Sequence, residues 1–258
     1  MHPAPAAALP SERPAPAPGR RTALLRTRLL GIDPREATFA RRGFGECDPA
    51  ARARLEEAGS TFLRGYHAAL AEPEPARLGA LLDGTGAELR GFAYEGSAMA
   101  LALLDVLVPW RSGRLDAFLR GPGDAHAYMV HVGAGWALAR LRRRLECPPA
   151  GMDPLLGWLA LDGYGFHEGY FRPGPTVDGR EVPRRLSGYA RRAFDQGVGR
   201  SLWFSRGADP GRIAGAVARF SPERWADLWS GVGLACAYAG DGRRGGADAV
   251  AAASGRHR

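Results

Sequence analysis

The apolar positions of this chain recur with helical rather than strand spacing. Across residues 124–145, Tyr128, His131, Val132, Gly135, Leu138, Ala139 and Arg142 fall on one stripe at i, i+3, i+4 and i+7 intervals. The same reading predicts helices over 49–71, 76–82, 88–107, 124–145, 154–171, 183–204, 211–220 and 222–239. These segments are rich in alanine and leucine rather than β-branched residues, which disfavours strands. Turn-forming clusters at 109–113, 121–124, 147–153, 172–183, 207–210 and 221–222 separate them, and the longest, 172–183, is expected over the surface. Asp153, Asp209 and Ser221 each precede a proline, an N-cap followed by a residue that needs no hydrogen bond in the first turn.

Six helical segments align on a glycine: Gly59, Gly96, Gly133, Gly163, Gly197 and Gly231, at intervals of 37, 37, 30, 34 and 34 residues. Four carry a second glycine two positions on (Gly135, Gly165, Gly199, Gly233), and another has Ala98 there. Three positions on, five have a large apolar residue (Phe62, Met99, Trp136, Phe166, Leu234), whereas the fifth segment has Arg200. Seven positions on, Tyr66, Tyr170, Phe204 and Tyr238 recur. A glycine inside a helix costs about 1 kcal/mol relative to alanine, so aligned glycines imply close approach of neighbouring helix backbones. The expected fold is all-α, a solenoid-like or bundled helical array with units of ~34 residues over 21–240, between a disordered tail at 1–20 and a flexible tail at 241–258. The period resembles the tetratricopeptide layout, but the internal consensus does not match it.

Composition narrows the function classes. All 35 basic residues are arginine, and the net charge of +8 is spread along the chain rather than gathered on one element, which argues against nucleic-acid binding. The densest run, Arg140 with Arg142, Arg143 and Arg144, reads as a solvated helix end. Cys47, Cys147 and Cys236 are far apart and form no CxxC pair, so neither a zinc site nor a disulfide framework is expected, and a reducing, cytoplasmic setting fits. No stretch approaches the ~18 continuous apolar residues of a membrane span, and no cofactor fingerprint, P-loop or GxSxG elbow occurs.

The candidate chemistry is polar and metal-free. His167-Glu168 resembles the start of HExxH, but the second histidine would fall at Phe171. His167 with Glu168 or Asp162 forms a candidate acid–base pair, although adjacent helical residues point about 100° apart, so His167 and Glu168 are not expected to face each other. Aligned on the marker glycines, Glu95, Asp162 and Gln196 stand one position before the glycine, and His131 and Asp195 two before. Glu95, His131, Asp162 and Asp195 are expected to line one groove with Arg200, to bind a small substrate or transfer protons; the alternative is that they are hydrogen bonds and ion pairs between helices. Trp136, Tyr164 and Trp203 join the candidate ligand-binding set, and Trp136, Trp158, Phe166, Tyr170, Trp203, Phe204, Trp225 and Trp229 read either as core or as a flat apolar tunnel for a polyene or aromatic ligand.

The wording of the motifs adds a resemblance. EATFARRGF from Glu36, GFAYEGSAMALALLD from Gly91, HVGAGWALARL from His131, LDGYGFHEGYF from Leu161, RRAFDQGVGRSLWF from Arg191 and DLWSGVGLACAYAG from Asp227 look like the UnbL-type enediyne biosynthesis proteins, an actinobacterial domain of unknown function. The resemblance, over about 24–240, implies a cytoplasmic accessory protein beside an iterative polyketide synthase, acting on an apolar polyene-derived intermediate or scaffolding partner enzymes. It supplies no reaction, and a cofactor-independent acid–base enzyme of isomerase or cyclase type and a peptide-binding solenoid remain alternatives. It also implies a longer C-terminus than the RRGGADAVAAASGRHR found here, leaving the last helix uncovered.

Overall fold

A computed structural model describes residues 20–143, 146, 152–240 and 244–255; Arg144, Cys147 and most of the expected N-terminal tail lie outside them. The described residues form helices and turns, with no strand among them. Six long helices carry the marker glycines: α3 (Pro49–Ala71), α5 (Ala87–Leu107), α7 (Ala127–Arg140), α8 (Leu159–Phe171), α9 (Gly188–Ser205) and α11 (Pro222–Ala239). Each packs against the next in that order, and α11 returns to touch α3, so the row curls around a common interior. The shorter helices are α1 (Arg20–Leu30), α2 (Phe39–Arg42), α4 (Pro75–Leu82), α6 (Arg114–Leu119), α10 (Pro210–Val217) and α12 (Arg244–Gly255).

The glycines explain how closely the long helices approach. A Cβ built on Gly133, Gly163, Gly197 or Gly231 would overlap the backbone carbonyl oxygen of Glu95, Val132, Asp162 or Gln196, on the preceding long helix. In each case that carbonyl belongs to the residue just before the preceding marker glycine. The second glycines face the other way: Gly135, Gly165 and Gly199 meet the carbonyls of Ala160, Phe194 and Leu228 on the following helix. Each Cα–H therefore points at a carbonyl oxygen, a weak attraction that recurs where helices cross closely. Between α7 and α8, α8 and α9, and α9 and α11 the contacting numbers rise on one helix as they fall on the other, so these neighbours run antiparallel. The row ends where the pattern ends, since Gly233 has nothing within 4 Å of its Cβ position.

Helix starts follow their punctuation. Asp48 caps α3 through the amides of Ala50 and Ala51, with Pro49 in the first turn, and Asp209 caps α10 in the same way. Asp153 also accepts from two amides, Leu155 and Leu156 at 2.8 Å each. Those amides lead into a 3-10 turn at Leu156–Trp158, however, and α8 starts only at Leu159 rather than at 154. The helix expected over 124–145 is likewise shortened to α7, with a 3-10 turn before it.

Three other expectations change. Arg140 is no solvated helix end: it is partly buried and donates to Tyr66 Oη at 3.3 Å and to the Leu30 carbonyl at 3.1 Å. The 172–183 segment is not wholly a surface loop, because Thr176 and Val177 are buried and Arg224 Nη1 holds the Arg180 carbonyl at 2.7 Å. The expected C-terminal tail contains α12, which lays Val250 and Ala253 against α10 and α11 and so covers the last long helix. Its stripe of valine and small residues is too weakly apolar to stand out in the sequence.

Candidate functional site

Each long helix turns part of one i, i+4, i+8 row, the residues one before, three after and seven after the marker glycine, toward a shared interior: Ala58 and Phe62, Glu95, Trp136, Phe166 and Tyr170, Arg200 and Phe204, and Tyr238. Together with neighbouring residues they line a narrow cavity of about 50 Å³. Its walls are aromatic: Phe62, Phe92, Trp136, Phe166, Tyr170 and Phe204. Trp136 stacks at a tilt between Phe62 (centroids 4.5 Å apart) and Phe166 (4.8 Å). Ile32, Glu36 and Ala37, from the segment before α2, also line it. Arg42 fastens this segment, donating to Glu36 Oε2 at 3.0 Å and the Tyr170 carbonyl at 2.6 Å, with its guanidinium 4.8 Å from the Phe171 ring.

The polar part of the lining is small and deeply buried. Arg200, 1 % exposed, replaces the apolar residue found at its position in the other long helices. It donates to Asp162 through Nη1 and to Tyr238 Oη through Nε at 2.6 Å, and its Nη2 lies 3.7 Å from Glu95 Oε1. Asp162 also accepts from Gln196 Nε2 at 2.9 Å, and Gln196 Oε1 accepts from Ser230 at 3.4 Å. Burial works against the guanidinium's charge, but Asp162, Tyr238 and Glu95 together hold its pKa well above the ordinary value. Burial pushes the Glu95 carboxyl up to about 7; Arg200 opposes the rise and the Asp162 charge adds to it.

That shift has a defined sign. A carboxyl raised from 4.5 to about 7 by folding makes its ionisation cost stability, a cost absent below pH 4.5 and complete above pH 7. Glu95→Gln carries no such cost, so its stability relative to wild type is expected to improve by ~2–3 kcal/mol between pH 5 and pH 8. Urea melts at both pH values check this; a difference that does not change with pH would contradict it.

The expected site residues separate by one position of register. Glu95, Arg200 and Trp136 line the cavity, and Asp162, outside the lining, is joined to it through Arg200. His131 and Asp195, one residue earlier in the pattern, do not join them. His131 is 2 % exposed and its Nδ1 pairs with the Ala127 carbonyl of its own helix at 2.7 Å. Asp195 is held by Arg224, which donates from Nε at 2.9 Å and Nη2 at 2.6 Å, so its role is to join α9 and α11. The shared groove expected for all four acid–base positions does not form: Glu95 and Asp162 meet at Arg200 while His131 and Asp195 each keep a separate partner, because a step of one residue turns a helical side chain by about 100°.

His167 and Glu168 contact each other after all, Nδ1 to Oε1 at 3.3 Å, because the flexible glutamate reaches around the helix. Glu168 also accepts from Arg172 at 3.1 Å. Neither lines the cavity, although His167 meets the edge of the Trp136 ring with centroids 5.9 Å apart. Tyr164 packs beside Phe194 at 6.2 Å outside the cavity. Trp203 lines a second, wider cavity of about 750 Å³ between α3, α11 and α12, with Leu55, Trp229 and Val250. Tyr238 and Gln196 complete the cluster, although in the sequence Tyr238 stands out only as a member of the aromatic series and Gln196 only by its place before Gly197.

No group of His, Cys, Asp and Glu among the described residues is arranged to hold a metal ion. No helix among them is long and apolar enough to cross a membrane. No curated protein and no solved structure matches the chain. The profile of a family described as a protein of unknown function, DUF1702, matches residues 21–258, and the chain belongs to that family.

Proposed function

We propose that this protein binds a flat, apolar, unsaturated intermediate of polyketide biosynthesis, of the polyene type from which enediynes are built, in its central aromatic slot. It acts in the cytoplasm as an accessory protein beside an iterative polyketide synthase. The observation that carries the reading is the slot itself: stacked aromatic walls with polar groups from only a few side chains, the lining typical of small-molecule sites. The motif resemblance supports the pathway. That each of the six long helices turns at least one of the corresponding positions into the cavity, rather than onto an outer groove, favours a small molecule over a peptide. Deleting the gene in its host is expected to abolish or truncate the polyketide product, and an unchanged product profile would sink the proposal.

A second reading is favoured by one feature. Glu95, buried beside Arg200 and Asp162 with a carboxyl that titrates near neutrality, is suited to proton transfer without a cofactor. Glu95→Gln would then eliminate turnover of the bound intermediate while leaving it bound, and retained product formation in a host carrying that variant would reject this reading.

A further inference from the structure

Two buried polar atoms at the cavity have no hydrogen-bond partner: Trp136 Nε1 and Glu95 Oε1. Both residues line the slot, and they are 6 % and 2 % exposed. The indole N–H and Arg200 Nη2, the latter 3.7 Å from Glu95 Oε1, both lie near enough to the carboxyl to favour its ionised form, but neither contact has the geometry of a full hydrogen bond. An unsatisfied buried polar atom is costly, and here two stand together in an otherwise aromatic wall. Tyr238 and Asp162, by contrast, are engaged by Arg200.

We propose that Trp136 Nε1 and the Glu95 carboxyl form a receptor for one carbonyl oxygen of the bound molecule, so that the ligand class is a conjugated, uncharged ketone or aldehyde rather than a hydrocarbon. This rests on the ligand-binding reading above and deepens it. A carbonyl oxygen has two lone pairs, and the pocket offers two donors, the indole N–H and the protonated carboxyl O–H. Arg200 does not fill this role, because Nη1 and Nε are taken by Asp162 and Tyr238 and Nη2 is directed at Glu95 itself. An ionised Glu95 would instead turn a lone pair toward the ligand oxygen. The charged and titratable groups facing Glu95 are Arg200 from α9, Asp162 from α8, and Tyr238 from α11, with Tyr128 from α7 interacting with the same cluster. Tyr128 and Tyr238 are raised by burial, Tyr128 to about 12, so Glu95 is the group of this set that changes charge near neutrality.

The test compares trans-stilbene with chalcone, which adds a carbonyl to the same flat frame, by quenching of tryptophan fluorescence in the full-length protein. The chain has no lysine, so no side-chain amine adds to the enone. Wild type at pH 6 is expected to bind chalcone about ten-fold more tightly than stilbene, the worth of one or two net hydrogen bonds. That ratio is expected to fall toward one at pH 8.5 in wild type, and toward one at pH 6 in Trp136→Phe. Glu95→Gln, whose amide still donates, is expected to keep the preference at both pH values. Equal affinity for the two probes in wild type would overturn the inference while leaving the ligand-binding reading intact. A ten-fold preference that survives in Trp136→Phe and ignores pH would also overturn it. Failure of both probes to bind would overturn the inference together with the reading it rests on.

Discussion

Arg200→Met is expected to destabilise the protein by ~3–5 kcal/mol at pH 7, more than any other single change at the site. The reason is what remains rather than what is removed. Asp162 would be left as a fully buried carboxylate with Gln196 as its remaining side-chain donor, and Tyr238 would lose its partner. Methionine conserves most of the volume, so the loss reports charge rather than packing. The double variant Arg200→Met with Asp162→Asn is expected to recover at least half of it, because no unpaired charge is then buried. Denaturant melts of the four proteins in that cycle measure the coupling. A single-variant loss below about 1 kcal/mol would show that the cluster is solvated and not the sealed floor of a cavity.

The next largest effect concerns glycine, and its sign depends on position. Gly199→Ala is expected to cost about 3 kcal/mol, because the new methyl would overlap the Leu228 carbonyl and force α9 and α11 apart. Gly233 holds the same place in the glycine pattern one long helix later, but nothing lies within 4 Å of its Cβ position. Gly233→Ala is therefore expected to stabilise by ~0.5–1 kcal/mol through helix propensity alone. Thermal melts of the two variants distinguish a packing requirement from a shared sequence habit. Similar effects of the same sign would contradict the role assigned to the crossings.

The residues that were legible from the sequence are those governed by local rules. The bounds of α3 and α11 coincide with the expected helices because Asp48-Pro49 and Ser221-Pro222 punctuate them locally. The start of α8 was not legible, since Asp153 satisfies amides equally well at the head of a 3-10 turn. At the site, the glycine alignment brought Glu95, Asp162, Arg200 and Trp136 into view. It did not say that Glu95 and Asp162, one before the glycine, meet Arg200 while His131 and Asp195, two before, turn aside. That choice is fixed by which side of each helix its glycines bind to a neighbour, a tertiary fact absent from any single helix. Arg224, the partner that takes Asp195 away from the site, lies 29 residues downstream with no local mark of its role.

Occupancy of the central slot by an apolar probe tests its proposed role as a ligand site most directly. Stilbene titrated into the full-length protein is expected to quench tryptophan fluorescence saturably at one equivalent. Ala58→Leu, which adds bulk to the wall of the slot, is expected to weaken that binding at least ten-fold while still unfolding cooperatively. Wild-type protein that does not bind stilbene, or a folded Ala58→Leu protein that binds it as well as wild type, would contradict the assignment of the central slot as the ligand site.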